Sequence, residues 1–174
     1  MKFDLFYIIG QILGAVAVIL GFAAFQRKTQ REIIIFQCAT AVIFSIHYCL
    51  IDAPTAVVLN LLSALICVCF AFRNNRQSKS KGEVIISSLI FTIAGVFVWE
   101  SIYSVFLIAG LVVNSVSLSF SNPQNTRRAM LIKSPLCIAY NLSVTSMGGV
   151  VFECAVLVSA IIGLIKTKVQ GRGV

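Results

Sequence analysis

Charge is what this sequence has least of. Only 11% of its 174 residues are Asp, Glu, Lys or Arg, against about 25% in an ordinary soluble domain. Six residues are acidic, one is histidine and three are proline. So little charge excludes a soluble enzyme, a disordered tail and a disulfide-stapled secreted module. Only one acidic residue falls well inside an apolar run, which excludes a paired-carboxylate protease of the membrane, and a single histidine leaves no His-based metal spacing. H-E-x-x-H, G-x-S-x-G, Walker A and G-x-G-x-x-G patterns are all missing. No catalysis, metal or cofactor is expected.

What fills the chain instead is hydrocarbon. Residues of the Ala, Val, Ile, Leu, Met, Phe, Trp, Tyr and Cys set make up 59% of it, with a mean hydropathy of +0.97. The net charge of +8 sits in short clusters between apolar runs, without the interleaved aromatics of a nucleic-acid surface, so no nucleic-acid partner is expected. Cys38, Cys49, Cys67, Cys69, Cys137 and Cys154 lie inside apolar segments and read as free thiols acting as small apolar side chains.

Seven apolar runs can be separated: 5–25, 33–51, 55–72, 84–99, 102–121, 129–146 and 147–165. At about 1.5 Å rise per residue most just cross a hydrocarbon layer of about 30 Å. Asp52-Ala53-Pro54, Glu100-Ser101 and Thr145 to Gly149 break what would otherwise be longer stretches, because the residue before Pro disfavours helix and Gly clusters mark turns. The first run is longer than a signal-peptide core and is followed at once by Gln26-Arg27-Lys28, so it reads as an uncleaved first helix.

Lys and Arg cluster after runs 1, 3, 5 and 7, and none falls in the alternate loops; Lys2 alone lies on the other side. By the positive-inside rule this places the N-terminus outside and the C-terminus in the cytoplasm. The expected architecture is an all-α integral membrane protein with seven transmembrane helices. Offset by 96 residues, Gly14-Ala15-Val16 meets Gly110-Leu111-Val112 and Arg31 meets Arg127; after a three-residue deletion near the outer turn, Asn60 meets Glu153. Three helices invert the chain, so one added helix restores the orientation and makes two parallel copies, a 3+1+3 plan. The units are 1–73 (first repeat), 74–101 (cytoplasmic loop and linker helix) and 102–174 (second repeat and basic tail).

This plan resembles the SWEET and PQ-loop transporter superfamily. The run Leu118-Ser119-Phe120-Ser121-Asn122-Pro123-Gln124, followed by Arg127-Arg128, is similar to the Pro-Gln loop that names the latter. The stretches G-F-A-A-F-Q-R-K-T-Q-R-E (21–32) and F-S-I-H-Y (44–48) are similar to bacterial YgjV-like inner-membrane proteins. The resemblance implies a location in the bacterial inner membrane and a solute site on the third helix of each copy, where SWEET proteins place a pair of Asn residues. Here those positions are Asn60 and Glu153, so the second member is Glu, and helices 1 and 2 lack proline.

An ionisable group inside a span costs about 2.5–3.5 kcal/mol to insert and so reads as functional. Glu153 falls about 10 Å inside the outer end of its helix by helical rise. No Lys or Arg is expected at its depth, which favours the neutral acid. Asn60, His47, Asn141 and Gln11 are expected in the same outer layer, Lys133 to snorkel to the cytoplasmic surface, and Pro135 to kink helix 6. Together these features point to a SWEET-like carrier of a small polar solute. It would work by alternating access between the repeats, with Asn60 and Glu153 at the solute, His47, Asn141 and Gln11 around them, and proton coupling through Glu153. The alternative is a non-transporting receptor or assembly scaffold. The bilayer is the expected partner, and self-association into a homo-oligomer is left open.

Overall fold

The structure is a computed structural model that describes residues 5–73 and 81–170, without the side chains of 5–7, 11, 73 and 168–170. Most of the 74–83 joint and the end of the basic tail therefore lie outside the described residues. Among those described there are seven helices and no strand: α1 (Leu5–Phe25), α2 (Gln30–Leu50), α3 (Pro54–Arg73), α4 (Lys81–Phe97), α5 (Ser104–Leu118), α6 (Pro123–Ser143) and α7 (Met147–Gln170). Four contain stretches long and apolar enough to cross a membrane: Ile8–Phe25, Gln30–Leu50, Pro54–Phe72 and Met147–Thr167. At 17 and 15 residues α4 and α5 are shorter, while α6 carries Arg127, Arg128 and Lys133.

Local chemistry sets the boundaries. Thr29 caps α2 through a reciprocal capping box with Glu32, satisfying backbone N–H groups that the first turn leaves free. Asn122 caps α6 ahead of Pro123, whose missing N–H costs nothing at a first helical position. The α2–α3 and α6–α7 turns close alike. Asp52 and Thr145 take φ values of 57° and 52°, while Ala53 N–H donates to the Tyr48 carbonyl at 3.0 Å and Ser146 N–H to that of Asn141 at 2.9 Å.

These matching features sit 93 positions apart, as do Phe25 and Leu118, Leu50 and Ser143, and Pro54 and Met147. The helix boundaries thus correspond at a spacing of 93, not at the 96 of the sequence match on the first two helices. The α1–α2 and α5–α6 loops are equally long, so no deletion separates them from the following turns.

Around the bundle, α1 packs on α2 and α7, α2 on α3, α5 on α6, α6 on α7, and α4 on α5 and α3; α3 also meets α5, and α2 meets α6. One end of the bundle, the basic end, carries Arg27, Lys28, Arg31, Arg127, Arg128 and Lys166; the far end carries the 52 and 145 turns. Where α1 meets α7, a Cβ on Gly14 would come within 3.0 Å of Gly148 Cα, so small residues permit the close approach typical of helices packed in lipid.

The surface is apolar, and the interior combines an apolar core with buried polar groups. Ile19 is 70% exposed, Leu65 64% and Phe97 85%, while Gln30, Asn114, Asn141 and Glu153 are buried. Water would penalise such an outer face, and lipid favours it. All six cysteines are free.

Candidate functional site

Between the helices lies a cavity of about 60 Å³ lined from α1, α2, α3, α5, α6 and α7. It has room for a few waters and falls well below the roughly 300 Å³ of pockets for drug-sized ligands. Most of its lining comes in pairs at the spacing of the helix boundaries: Gly21 with Asn114, Gln37 with Met130, Thr40 with Lys133, Phe44 with Cys137, Tyr48 with Asn141, Asn60 with Glu153, and Ser63 with Val156.

Asn60 and Glu153 are each the seventh residue of their helices, α3 and α7, so both helices enter from the far end and carry these side chains to one depth. Asn60 also donates from Nδ2 to the Ala56 carbonyl at 2.8 Å. Glu153 is buried, and its Oε1 accepts from Lys133 Nζ at 3.1 Å. The expected isolation of Glu153 from any cation is therefore corrected, and with it the ground for expecting a neutral acid. The cause is the start of α6. Hydropathy places it near residue 129, with Lys133 close to the surface, but Asn122 and Pro123 start the helix six residues earlier. Lys133 becomes the middle residue of α6, about 15 Å from either end at helical rise, and its side chain turns to Glu153 instead of to the surface. Its side chain is 13% exposed.

The second carboxylate oxygen, Glu153 Oε2, is buried without a hydrogen-bond partner, as are both polar atoms of the Gln37 amide. Buried polar atoms of this kind are uncommon, and each calls for an explanation. The Cys137 thiol, a weak donor, lies beside the same carboxylate.

Of the remaining expected residues, Asn141 lines the cavity and accepts on Oδ1 from the Tyr48 hydroxyl. His47 is absent from the cavity lining. It is fully buried, with Nδ1 2.7 Å from the Gly10 carbonyl and Nε2 2.8 Å from Ser146 Oγ. A carbonyl only accepts, so Nδ1 carries the proton of the neutral ring and Ser146 donates to Nε2. Both nitrogens are thereby used in joining α1, α2 and the α6–α7 turn. Gln11 sits on α1, and its side chain lies outside the described residues. Pro135 lies inside α6, which runs unbroken past it. Among the described residues no three His, Cys, Asp or Glu side chains gather as a metal site would require.

Towards both ends of the bundle, polar bonds run between the first three helices and the last three. At the far end these are His47 to Ser146 and Tyr48 to Asn141. At the basic end the buried Arg127 donates from Nε to the Phe25 carbonyl at 2.9 Å and from a terminal nitrogen to that of Arg27 at 2.7 Å. It thereby satisfies carbonyls that the C-terminus of α1 leaves free. Thr126 donates to Gln30 Oε1 at 2.8 Å, and Gln26 Nε2 to the Ser159 hydroxyl at 2.9 Å.

Sequence reasoning missed Lys133 and Gln37 as site residues. For Lys133 the signal was present in the Asn122-Pro123 cap. For Gln37 no local signal distinguishes a cavity amide from one bonded between helices.

A family model described as Imp-YgjV, bacterial inner membrane protein, matches residues 8–170. No curated protein and no solved structure matches the chain.

Proposed function

The chain belongs to the Imp-YgjV family of bacterial inner membrane proteins, and on that premise we propose that it is a SWEET-like carrier of a small polar solute. In this reading α1–α3 and α5–α7 are two parallel repeats joined by α4, all seven helices span the membrane, and the N-terminus is outside with the C-terminus in the cytoplasm. The observation that carries it is the pairing of the cavity walls at one sequence spacing. A two-fold axis along the membrane normal brings equivalent residues to a shared hole, and parallel repeats build solute sites at such interfaces. The ring of helix contacts supports the same axis, since exchanging α1 with α5, α2 with α6 and α3 with α7 maps α1–α2, α2–α3 and α1–α7 onto α5–α6, α6–α7 and α3–α5, and α2–α6 onto itself. Within this reading the chain acts without catalysis, and a proton taken up at Glu153 would release Lys133, so coupling runs through that pair.

Access to the cavity tests the proposal. In a background with the native cysteines replaced, Asn60→Cys in sealed vesicles is expected to react with a membrane-impermeant thiol reagent applied to either face. In liposomes, solute flux is expected to fall with Asn60→Ala and Glu153→Gln. Full retention of flux in both variants overturns the site assignment.

A second reading, a non-transporting receptor or assembly scaffold, is favoured by one observation: Glu153 is bonded to a neighbouring helix beside a very small cavity. Under that reading Asn60→Cys is unreactive from both faces.

A further inference from the structure

We propose that the cavity recognises a small amino-acid zwitterion, its carboxylate held by Lys133 and its ammonium by Glu153. This deepens the carrier reading and rests on it.

The Lys133–Glu153 pair has unused bonding capacity. A lysine ammonium has three N–H donors and an ionised carboxylate two acceptor oxygens. The ion pair uses one donor of Lys133 and Oε1 of Glu153. Oε2 has no hydrogen-bond partner beyond the weakly donating Cys137 thiol beside the carboxylate, although Glu153 is only 4% exposed. Both residues line the same cavity, so a positive and a negative group stand side by side on one wall with bonds still to make. Gln37 faces the same cavity from α2 with an amide donor and acceptor that are both unpartnered.

The chemistry of the solute follows from what each class would leave unmet. A lone cation would serve Glu153 while competing with Lys133 for it, and a lone anion would do the reverse. Either would bring a net charge into a hole enclosed by lipid-facing helices, where an unpaired charge is costly. A polyol brings no charge, yet its hydroxyls meet a charged pair with weaker bonds than an ionised group makes. A zwitterion matches both signs at once. Its carboxylate accepts from a free N–H of Lys133, its ammonium donates to Oε2, and the four charges alternate in sign with no net charge added. The cavity of about 60 Å³, far below the roughly 300 Å³ of pockets for drug-sized ligands, limits the solute to the smallest members of the class. The Gln37 amide, on a helix of the other trio, offers such a solute bonds to the opposite repeat, so that occupancy ties the two halves together.

The experiment uses the full-length chain purified in detergent, with glycine and L-alanine as probes and methylamine, acetate, glycerol and glucose as mismatched solutes. Binding is read by displacement of radiolabelled glycine and by thermal shift. Glycine and alanine are expected to bind and the other four to fail at equal concentration. In the double variant Lys133→Met/Glu153→Leu, glycine affinity is expected to fall at least tenfold. The comparison among solutes needs no variant, so it holds even if the double variant misfolds. Failure of both amino acids to bind at millimolar concentration, or unchanged glycine affinity in a folded double variant, overturns the inference. Binding or flux of glucose or of a singly charged solute in place of the amino acids also overturns it, and leaves the carrier reading intact. Glycine binding without glycine flux in liposomes upholds the recognition proposed here and overturns the carrier reading.

Discussion

The Lys133–Glu153 pair makes a stability prediction that can be worked through. Each side chain is mostly shielded from solvent, at 13% and 6% exposure, and Glu153 Oε1 lies 3.1 Å from Lys133 Nζ. Replacing Lys133 by Met keeps the length and removes the charge, stranding a buried carboxylate; Glu153→Leu strands a buried ammonium. Removing one partner of a buried pair costs about 3–5 kcal/mol, whereas replacing both by apolar residues of similar volume is often neutral or better. The single variants are therefore expected to lose about 3–5 kcal/mol each, and the double variant much less than either. For a chain of this size about 1 kcal/mol corresponds to about 2–4 °C. Each single variant should thus melt about 6–20 °C below the wild type in detergent, with the double variant near the wild type. The three variants form a cycle whose interaction energy isolates the pair. Two single losses below about 1 kcal/mol that simply add in the double variant would show that the two charges do not depend on each other, and the reasoning would fail.

Three further outcomes are expected. Arg127→Ala leaves the Phe25 and Arg27 carbonyls without their charged donor and should cost about 1.5–3 kcal/mol per bond lost; limited proteolysis should then cut sooner in the 26–29 loop, with incomplete rescue by Arg127→Lys because an ammonium lacks the planar fork. His47→Ala should destabilise by about 1–3 kcal/mol and be non-additive with Ser146→Ala, measured by thermal unfolding, since one bond is shared between them; strict additivity would place the bond elsewhere. Reporter tags at the two chain ends should map to opposite compartments, and finding both on one side would sink the odd number of spans.

The breaks at Asp52-Ala53-Pro54 and Thr145 were legible because they are written in local chemistry. A proline after a turn residue, or a run of small and polar residues, stops a helix whatever surrounds it. Asn60 and Glu153 were legible for a related reason: polar groups stand out in an apolar run, and their helices start at corresponding turns. Lys133 was not legible from hydropathy, which averages over a window and so moved the start of α6 past its Asn122 cap; a lysine that looked superficial became central. His47 illustrates the opposite limit. Its place about one turn from the end of α2 was readable, but its partners Gly10 and Ser146 lie on other parts of the chain, and pairings at such separation leave no trace in a single sequence. The match at 96 on the first two helices rested on apolar residues, which match one another at many offsets. Helix caps and turns do not.

Hydrogen bonds fasten the first three helices to the last three at both ends of the bundle, and that shapes how such a junction parts. Oily faces slide, giving up contact little by little as they separate. A bond such as that from Arg127 to the Phe25 carbonyl, at 2.9 Å, is spent within the next ångström or so, and its donor then needs a new partner at once. In the carrier reading, motion between the halves should accordingly come as a snap between two fastened arrangements, with few stopping places along the way.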